Sequence, residues 1–317
     1  MNKLEKQLFD NIKKSVENLS LKELKTLSFD LSKKYKRKIF KKFSSDRERL
    51  AYIVCRMPAT FNVLIYSLRE IKNIMPEMKI SSVLDLGSGP ATTVWAMFCV
   101  FENIKKVHLV EKDPIINLGK KLLKDLSFYK NLIFEKNDIL KIKNYDFDLV
   151  CLSYVASELK KPFIERIIKR WFYSKSKTII FLEPGTMYGF DKIKFIRKQL
   201  INLGTKIIAP CPNELKCPMP KNDWCHFYVR VKRTKPHKYL KAASLPYEDE
   251  KFSYVIATKE DVKKDFARIL LPPIRRKEVI TLTLCNKGRV EKEKIPRKDF
   301  KRYKFCQKLK WGDILNV

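Results

Sequence analysis

Val83-Leu84-Asp85-Leu86-Gly87-Ser88-Gly89-Pro90-Ala91-Thr92 decides the fold class of this chain. The apolar run predicts a strand that ends in an acid, and the Gly-x-Gly turn after it feeds a helix. Glycine lets a backbone approach a ligand closely, and a helix N-terminus favours polar or anionic groups. A nicotinamide dinucleotide site would want G-x-G-x-x-G after the strand, and the third glycine is missing here. The acid before the first glycine suits S-adenosylmethionine instead, whose ammonium needs a carboxylate near this loop.

Outward from this stretch, short apolar runs alternate with helical ones. The strand-like runs are SSVLDLG, KVHLVEK, LIFEKND, FDLVCLSYV and KTIIFLEPG, and helix-like TTVWAMFCVF, PIINLGKKLLKDL and KPFIERIIKRWFY lie between them. This alternation predicts a doubly wound parallel sheet, a Rossmann-like α/β fold. The second run ends in Glu111, whose carboxylate offers two acceptor oxygens to ribose hydroxyls. Asp138 follows the third run, where an adenine amino group would be held. Each acid alone reads as a turn residue. Three acids at the ends of successive strands, with a Gly-x-Gly turn after the first, point to a nucleotide-type cofactor site. Its expected members are Asp85, Gly87, Ser88, Gly89, Glu111 and Asp138.

The chain has 317 residues and 37.6 kDa, enough for one large domain or two modest ones. An apolar fraction of 45% and a mean hydropathy of -0.32 allow a real core. Lys and Arg number 68 against 35 acids, a net charge of +33 and a pI near 9.8. Genome composition can inflate lysine, but it does not explain why acids fail to keep pace. Such a surface attracts phosphate backbones or anionic membranes, and nucleic acid is the leading partner class. No stretch reaches the ~18–20 uninterrupted apolar residues of a membrane span. The opening MNKLEKQLFDNIKKSVENLS carries Glu5, Asp10 and Glu17 and shows no presequence, so a cytoplasmic, reducing location is expected. There the eight cysteines read as structural thiols, metal ligands or cluster ligands rather than disulfides.

The organisation follows. Residues 1–78 read as a helical region, with Leu4, Leu8, Ile12 and Val16 at four-residue spacing. Leu21–Lys38 repeats the pattern and runs into the basic KKYKRKIFKK, with Tyr35 and Phe40, a solvated helix face or a phosphate contact. Pro58, within the amphipathic stretch Arg49–Ile71, marks a helix start or a kink. Residues 79–205 plus part of 245–290 form the Rossmann domain. Residues 206–244 form a cysteine-rich insertion, and 291–317 a basic C-terminal tail.

Cys211, Cys217 and Cys225 lie in CPNELKCPMPKNDWC, and Cys285 follows in TLTLCNKG. Thiols in a Pro-rich loop suggest a soft metal site. Zinc sites usually show Cys-x2-Cys knuckles, and this block has none, although zinc stays open as an alternative. Wider spacings with Pro after Cys are compatible with an iron–sulfur cluster. Unligated thiols serving as small hydrophobes are the bland alternative. His226 is a possible alternate ligand, Cys55, Cys99 and Cys151 read as core, and Cys306 is a weak candidate. The basic YVRVKRTKPHKYLKAA that follows carries Tyr228 and Tyr239. A cluster ordering this strip would let it read folded RNA.

Taken together, RMPAT, VLDLGSGPAT, SYVASEL, LEPGTMYGF, APCPNELKCPMPKNDWCHF, VITLTLCN and the closing KLKWGD resemble one family. It is the methyltransferase-like proteins associated with the small ribosomal subunit, known in mitochondria as methyltransferase-like protein seventeen and found also in bacteria. The resemblance runs from about residue 20 to the end, and the cysteine block is its most specific part. It implies an S-adenosylmethionine-dependent methyltransferase-type Rossmann domain with an inserted cysteine-rich element, bound to the small ribosomal subunit and its rRNA during assembly. It also implies a four-iron four-sulfur cluster on Cys211, Cys217, Cys225 and Cys285, and a cofactor loop on Asp85, Gly87 and Gly89. The sequence departs from the pattern at Ala91, where glycine is usual, which puts cofactor binding in question.

Two functions remain open at this level. One is an assembly factor that binds S-adenosylmethionine and a cluster; the other is an active rRNA methyltransferase. A small-molecule methyltransferase is a poorer third. Ser153-Tyr154-Val155-Ala156-Ser157-Glu158 occupies the place of the Asn/Asp-Pro-Pro-aromatic turn of amino-directed enzymes and lacks it. Pro210-Cys211 has the look of a cytosine carbon-5 nucleophile but falls after the fifth strand. Glu158 and Glu183 are possible acids near the site, and no catalytic residue is assigned. A monomer is expected.

Overall fold

A computed structural model describes residues 3–36 and 43–316. Three helices come first: α1 (Lys3–Ser15), α2 (Leu21–Lys36) and α3 (Asp46–Ile74). Ser45 caps α3, its hydroxyl accepting from the Glu48 amide at 3.2 Å, and the Glu48 carboxylate reaches back to the Ser44 amide at 2.6 Å. This reciprocal pairing satisfies amide donors that a helix start leaves open. Pro58 neither starts nor ends α3 but sits buried in its interior. Its ring denies the Val54 carbonyl a helical partner, and burial of this stretch holds the helix together across the gap. By length and composition α3 passes for a membrane span, yet 67% of its most apolar stretch is buried inside the protein. Of the basic run KKYKRKIFKK, residues 37–42 and the side chains of 34–36 lie outside the described residues.

The alternating region then unfolds as β1 (Ser82–Leu86), α4 (Thr92–Val100), β2 (Lys106–Val110), α5 (Ile115–Leu123), β3 (Leu132–Glu135), β4 (Leu149–Ser153), α6 (Lys161–Phe172), β5 (Thr178–Pro184) and α7 (Met187–Asn202). After it come β6 (Lys206–Ala209), β7 (Phe227–Lys232), α8 (Lys235–Leu240) and the long β8 (Tyr247–Thr258). The main sheet runs β3-β2-β1-β4-β5-β8-β6, with β7 on the first half of β8. β1 to β5 are mutually parallel, and β8 is antiparallel to β5, β6 and β7. This order, with its reversed strand near one edge, is a Rossmann-like α/β fold. β6 and β7 draw both ends of the cysteine segment 206–244 into the sheet.

Apolar runs without polar alternation, such as Thr178-Ile179-Ile180-Phe181-Leu182, fit strands covered on both faces. One face packs under α1 to α5 around Trp95, and the other under α6 and α7 around Trp171. Both indoles are fully buried, and truncating either would cost about 3–5 kcal/mol. The N-terminal helices share one core with the sheet.

The chain ends in a second sheet built from β9 (Phe266–Ile269), β10 (Ile274–Arg275), β11 (Val279–Asn286), β12 (Arg289–Pro296) and β13 (Ile314–Asn316), with α9 (Phe300–Cys306) before the last strand. It has its own core of Ile280, Leu282, Leu284, Ile295, Tyr303 and Cys306, among others. Of residues 291–317, expected as a basic tail, 291–316 are therefore built into a folded unit. The reason is the period-two pattern of GRVEKEKI, which lets β12 pair with β11 along its full length.

Candidate functional site

The order β2-β1-β4 makes a topological switch point between β1 and β4, where open α/β sheets bind ligands beyond the strand ends. The Gly-x-Gly loop lies there. The Gly87 and Ser88 amides donate to the Val110 carbonyl at 2.9 and 3.1 Å, tying the loop to β2. Gly87 has φ +76°, and a Cβ there would come within 2.5 Å of Val155 Cγ2. Ala91 is also left-handed, at φ 59° and ψ 39°. An L-residue pays roughly 1–2 kcal/mol there, which is why glycine suits the position.

Asp85 is fully buried at the end of β1, and neither carboxylate oxygen has a hydrogen-bond partner among the described residues. Burial pushes its carboxyl up to about 7, and the nearby Thr93 hydroxyl offsets only part of this. The buried Ser88 hydroxyl and Tyr154 phenol are likewise without partners. Glu111 turns toward the loop: it accepts from the Gly89 amide at 3.0 Å and from the Asp113 amide at 2.8 Å. Burial raises its carboxyl, while those amides pull it down. Asp113 in turn holds Arg49 of α3 at 2.7 Å. Asp138 caps the turn Ile139–Lys141, accepting from the Leu140 amide at 2.9 Å.

The crevice holds a cavity of only about 40 Å³, walled by Tyr52, Met57 and Thr60 of α3, by the Gly-x-Gly loop, and by Ser153 and Tyr154. Pockets for ligands of cofactor size run from about 300 Å³ upward. Helix α3 thus roofs the crevice, and the Arg56 guanidinium, 5.9 Å from the Tyr154 ring centroid, fastens it to β8 through Glu250 at 3.0 and 2.7 Å. Tyr154 occupies the position directly after β4 with φ 63°, a left-handed conformation rare for an aromatic residue. Glu183 is buried beneath it and accepts from the Ser157 amide at 3.1 Å and from the Ser157 hydroxyl. Burial pushes Glu183 up to about 7 and also raises Glu158.

The structure brings Asp85, Gly87, Ser88, Gly89 and Glu111 together, with Asp138 on a neighbouring strand end and engaged in its own cap. The roof residues Tyr52, Arg56, Met57 and Thr60, and the role of Tyr154, were not assigned from sequence. The only signal for them is that RMPAT and SYVASEL belong to the shared family strings.

A second cavity of about 40 Å³ is lined by Cys211, Cys217, Cys225 and Cys285 together. Cys211 follows β6, Cys225 precedes β7, and Cys285 comes from β11 in the other sheet. Burial pushes the Cys225 thiol well up, and the other three thiols add to the effect. Cys285 is pushed up to about 12 by burial and by Cys211 and Cys217, and burial also raises Cys217. Two guanidiniums counter this. Arg197 Nε donates to Cys211 Sγ at 3.1 Å and its Nη2 to the Asn213 carbonyl at 2.7 Å. Arg268, fully buried, donates to the Pro210 carbonyl at 2.9 Å and to the Gly312 carbonyl at 2.6 Å, and pairs with Glu70 at 2.7 Å.

Among the described residues no three His, Cys, Asp or Glu side chains stand close enough to hold one metal ion. His226 does not line the cavity; its Nδ1 lies 3.1 Å from the Trp224 carbonyl and its ring packs edge-on against Trp311. Cys306 is buried in the second core, which removes it as a ligand candidate. Cys55 lies 3.1 Å from the Ser28 hydroxyl, Cys151 is buried beside Asp85, and Cys99 is half-buried.

Residues 46–316 match the family model described as mitochondrial small ribosomal subunit Rsm22. A curated human relative, the mitochondrial ribosome assembly protein METTL17, is 24% identical over 289 residues, covering 84% of this chain and 62% of that protein. The chain thus spans about three fifths of the length of that relative. Among solved structures, magnesium protoporphyrin IX methyltransferase of Synechocystis PCC 6803 with bound SAH aligns at a TM-score of 0.42 and 10% identity, over 72% of this chain and 93% of that one. A precorrin-6y C5,15-methyltransferase of Geobacter metallireducens aligns at 0.40 and 13% identity, over 70% and 91%.

Proposed function

The chain belongs to the mitochondrial small ribosomal subunit Rsm22 family, and from that premise we propose that it is a ribosome assembly factor that docks on the small subunit and its rRNA. In this reading the Rossmann domain is a binding module. The observation that carries it is the roofed crevice: α3 and Tyr154 leave about 40 Å³ where a transferase would keep substrate and cofactor face to face. The net charge of +33 supports an RNA partner.

The crevice residues fit S-adenosylmethionine chemically. Asp85 offers a buried carboxylate that meets no hydrogen-bond geometry with a described residue, although the Thr93 hydroxyl and Cys151 thiol lie near it, and Glu111 offers two acceptor oxygens once released from the loop amides. Bound there, the cofactor would supply an electrophilic methyl group. Asp85 would favour its ammonium and Glu111 its ribose hydroxyls.

The four-cysteine cavity fits an iron–sulfur cluster. Four thiols share it, and Arg197 and Arg268 supply positive charge beside it. The wide sequence spacing, with Pro after Cys and no Cys-x2-Cys knuckle, favours a cluster over zinc. The cluster would join the cysteine loop to the second sheet through Cys285.

Protein purified without oxygen tests both parts. Iron and sulfide in equal amounts, lost in Cys217→Ala, support the cluster; stoichiometric zinc overturns it. Incubation with small subunits and methyl-labelled S-adenosylmethionine should give tight binding and unlabelled RNA. Label in the rRNA would move the protein to the methyltransferase reading, and absence of subunit binding would remove the assembly reading.

A further inference from the structure

Strands β11 and β12 pair antiparallel from Val279 opposite Pro296 to Asn286 opposite Arg289. Successive strand residues point to opposite faces, and directly opposed residues share a face. This register sorts the alternating charges of Arg289-Val290-Glu291-Lys292-Glu293-Lys294-Ile295. Glu291, Glu293 and Ile295 stand opposite Leu284, Leu282 and Ile280, on the face that carries the second core; Ile295 is buried in it, Glu293 is half-buried and Glu291 is exposed near the turn. Both acids find partners there: Glu293 pairs with Arg302 of α9 at 2.5 Å, and Glu291 accepts from Asn286 Nδ2 at 2.9 Å.

The other face carries Cys285 with Val290, Thr283 with Lys292, and Thr281 with Lys294. Val290, Lys292 and Lys294 are exposed, and among the described residues neither lysine has an acid within ion-pair distance. A segment with nearly balanced charge thus presents a sheet face of one sign. Lys287 extends the charge at the turn and is exposed, while Arg289, opposite Asn286, shares the face of the acids.

We propose that this outer face of the β11–β12 hairpin is a docking surface for the RNA sugar–phosphate backbone. Lys292 and Lys294 take successive phosphates, and the Thr281 and Thr283 hydroxyls lie beside them as further donors. Two residues apart on a strand, the lysines stand about 6.7 Å from each other, a reach that suits neighbouring phosphates on one strand. The face is contiguous with the four-cysteine cavity through the Cys285–Val290 rung. The cysteine loop also touches the hairpin turn: a Cβ at Gly288 would lie 3.0 Å from Leu215 Cδ1. Order in that loop therefore sets the position of the basic face. The proposal deepens the assembly-factor reading and rests on it.

The test measures binding of the full-length protein to purified small-subunit rRNA across a salt series. Lys292→Gln with Lys294→Gln is compared with Lys13→Gln with Lys105→Gln, exposed lysines on α1 and before β2 that remove the same charge. The hairpin variant should bind at least tenfold more weakly at low salt, with a log–log slope shallower by about 1.5. A slope and affinity equal to the control's would overturn the proposal while leaving rRNA binding intact. Failure of the wild type to bind rRNA would remove the assembly reading and this surface with it. A measurement on the wild type guards against misfolding of the variant: bound rRNA should shield Lys292 and Lys294 from acetylation more than Lys13 and Lys105, and equal labelling counts against the surface. Displacement of rRNA by poly-glutamate at matched charge would reassign the face to an acidic protein and overturn the RNA reading.

Discussion

The Gly89 amide donates a 3.0 Å hydrogen bond to the Glu111 carboxylate, so the acid expected to take ribose hydroxyls is already spent on the loop beside it. Removing it should act on the loop before it acts on any ligand. Glu111→Ala should speed hydrogen exchange at Gly89 and Asp113, and should weaken binding of S-adenosylhomocysteine about tenfold or more in calorimetry, the scale of a lost hydrogen bond to a charged group. Unchanged exchange at Gly89 would show that Glu111 does not hold the loop.

Asp85 makes stability depend on pH. Its folded carboxyl is pushed up to about 7 by burial, above its ordinary value of 3.8. Between those values the unfolded chain has given up the proton and the folded protein retains it, so stability falls as pH rises from about 4 to about 7 and levels off above. Asp85→Asn removes this term. In urea titrations the variant should gain on the wild type by a few kcal/mol between pH 4 and 8. Parallel stability curves would contradict a buried, unpaired carboxyl.

Two buried alanines should respond oppositely to glycine. Ala96 lies within α4, where Ala→Gly loses helix propensity and a buried methyl, about 1–2 kcal/mol together. Ala91 sits at φ 59°, so relief of left-handed strain offsets the lost methyl and the freer unfolded chain. Ala91→Gly should therefore change stability by less than about 0.5 kcal/mol. Equal losses at both sites, read from thermal melts, would remove strain as the explanation for position 91.

The roof over the crevice hangs partly on Arg56 and Glu250, paired at 2.7 Å with side chains 29% and 13% exposed. A half-buried bidentate pair falls between surface and interior cases, so Arg56→Ala should cost about 2 kcal/mol. Arg56→Met with Glu250→Leu should restore most of that loss, because no charge is left unpaired. A double variant no better than the single would mean the pair contributes through geometry that neither apolar side chain can copy.

Much of this protein is legible in its sequence because its signals are local. Strand-length apolar runs, the Gly-x-Gly turn and acids at strand ends follow from backbone sterics and period-two burial within a few residues, and they placed Asp85, Gly87, Ser88, Gly89 and Glu111 at one strand edge. The cysteine block is legible as a loop in the same way, between β6 and β7. What sequence reading missed depends on contacts far apart in the chain. That α3 roofs the crevice is decided by Arg56 meeting Glu250, 194 positions away. Family resemblance alone groups Cys285 with the other three thiols; its approach to them is made by packing of the second sheet against the first. The same holds for β12: its alternating Lys and Glu read as polar tail until pairing with β11 puts Glu291 and Glu293 on one face and Lys292 and Lys294 on the other. Local propensity selects elements, but only long-range packing determines which of their faces meet, because burial and strand register depend on partners far away in the chain.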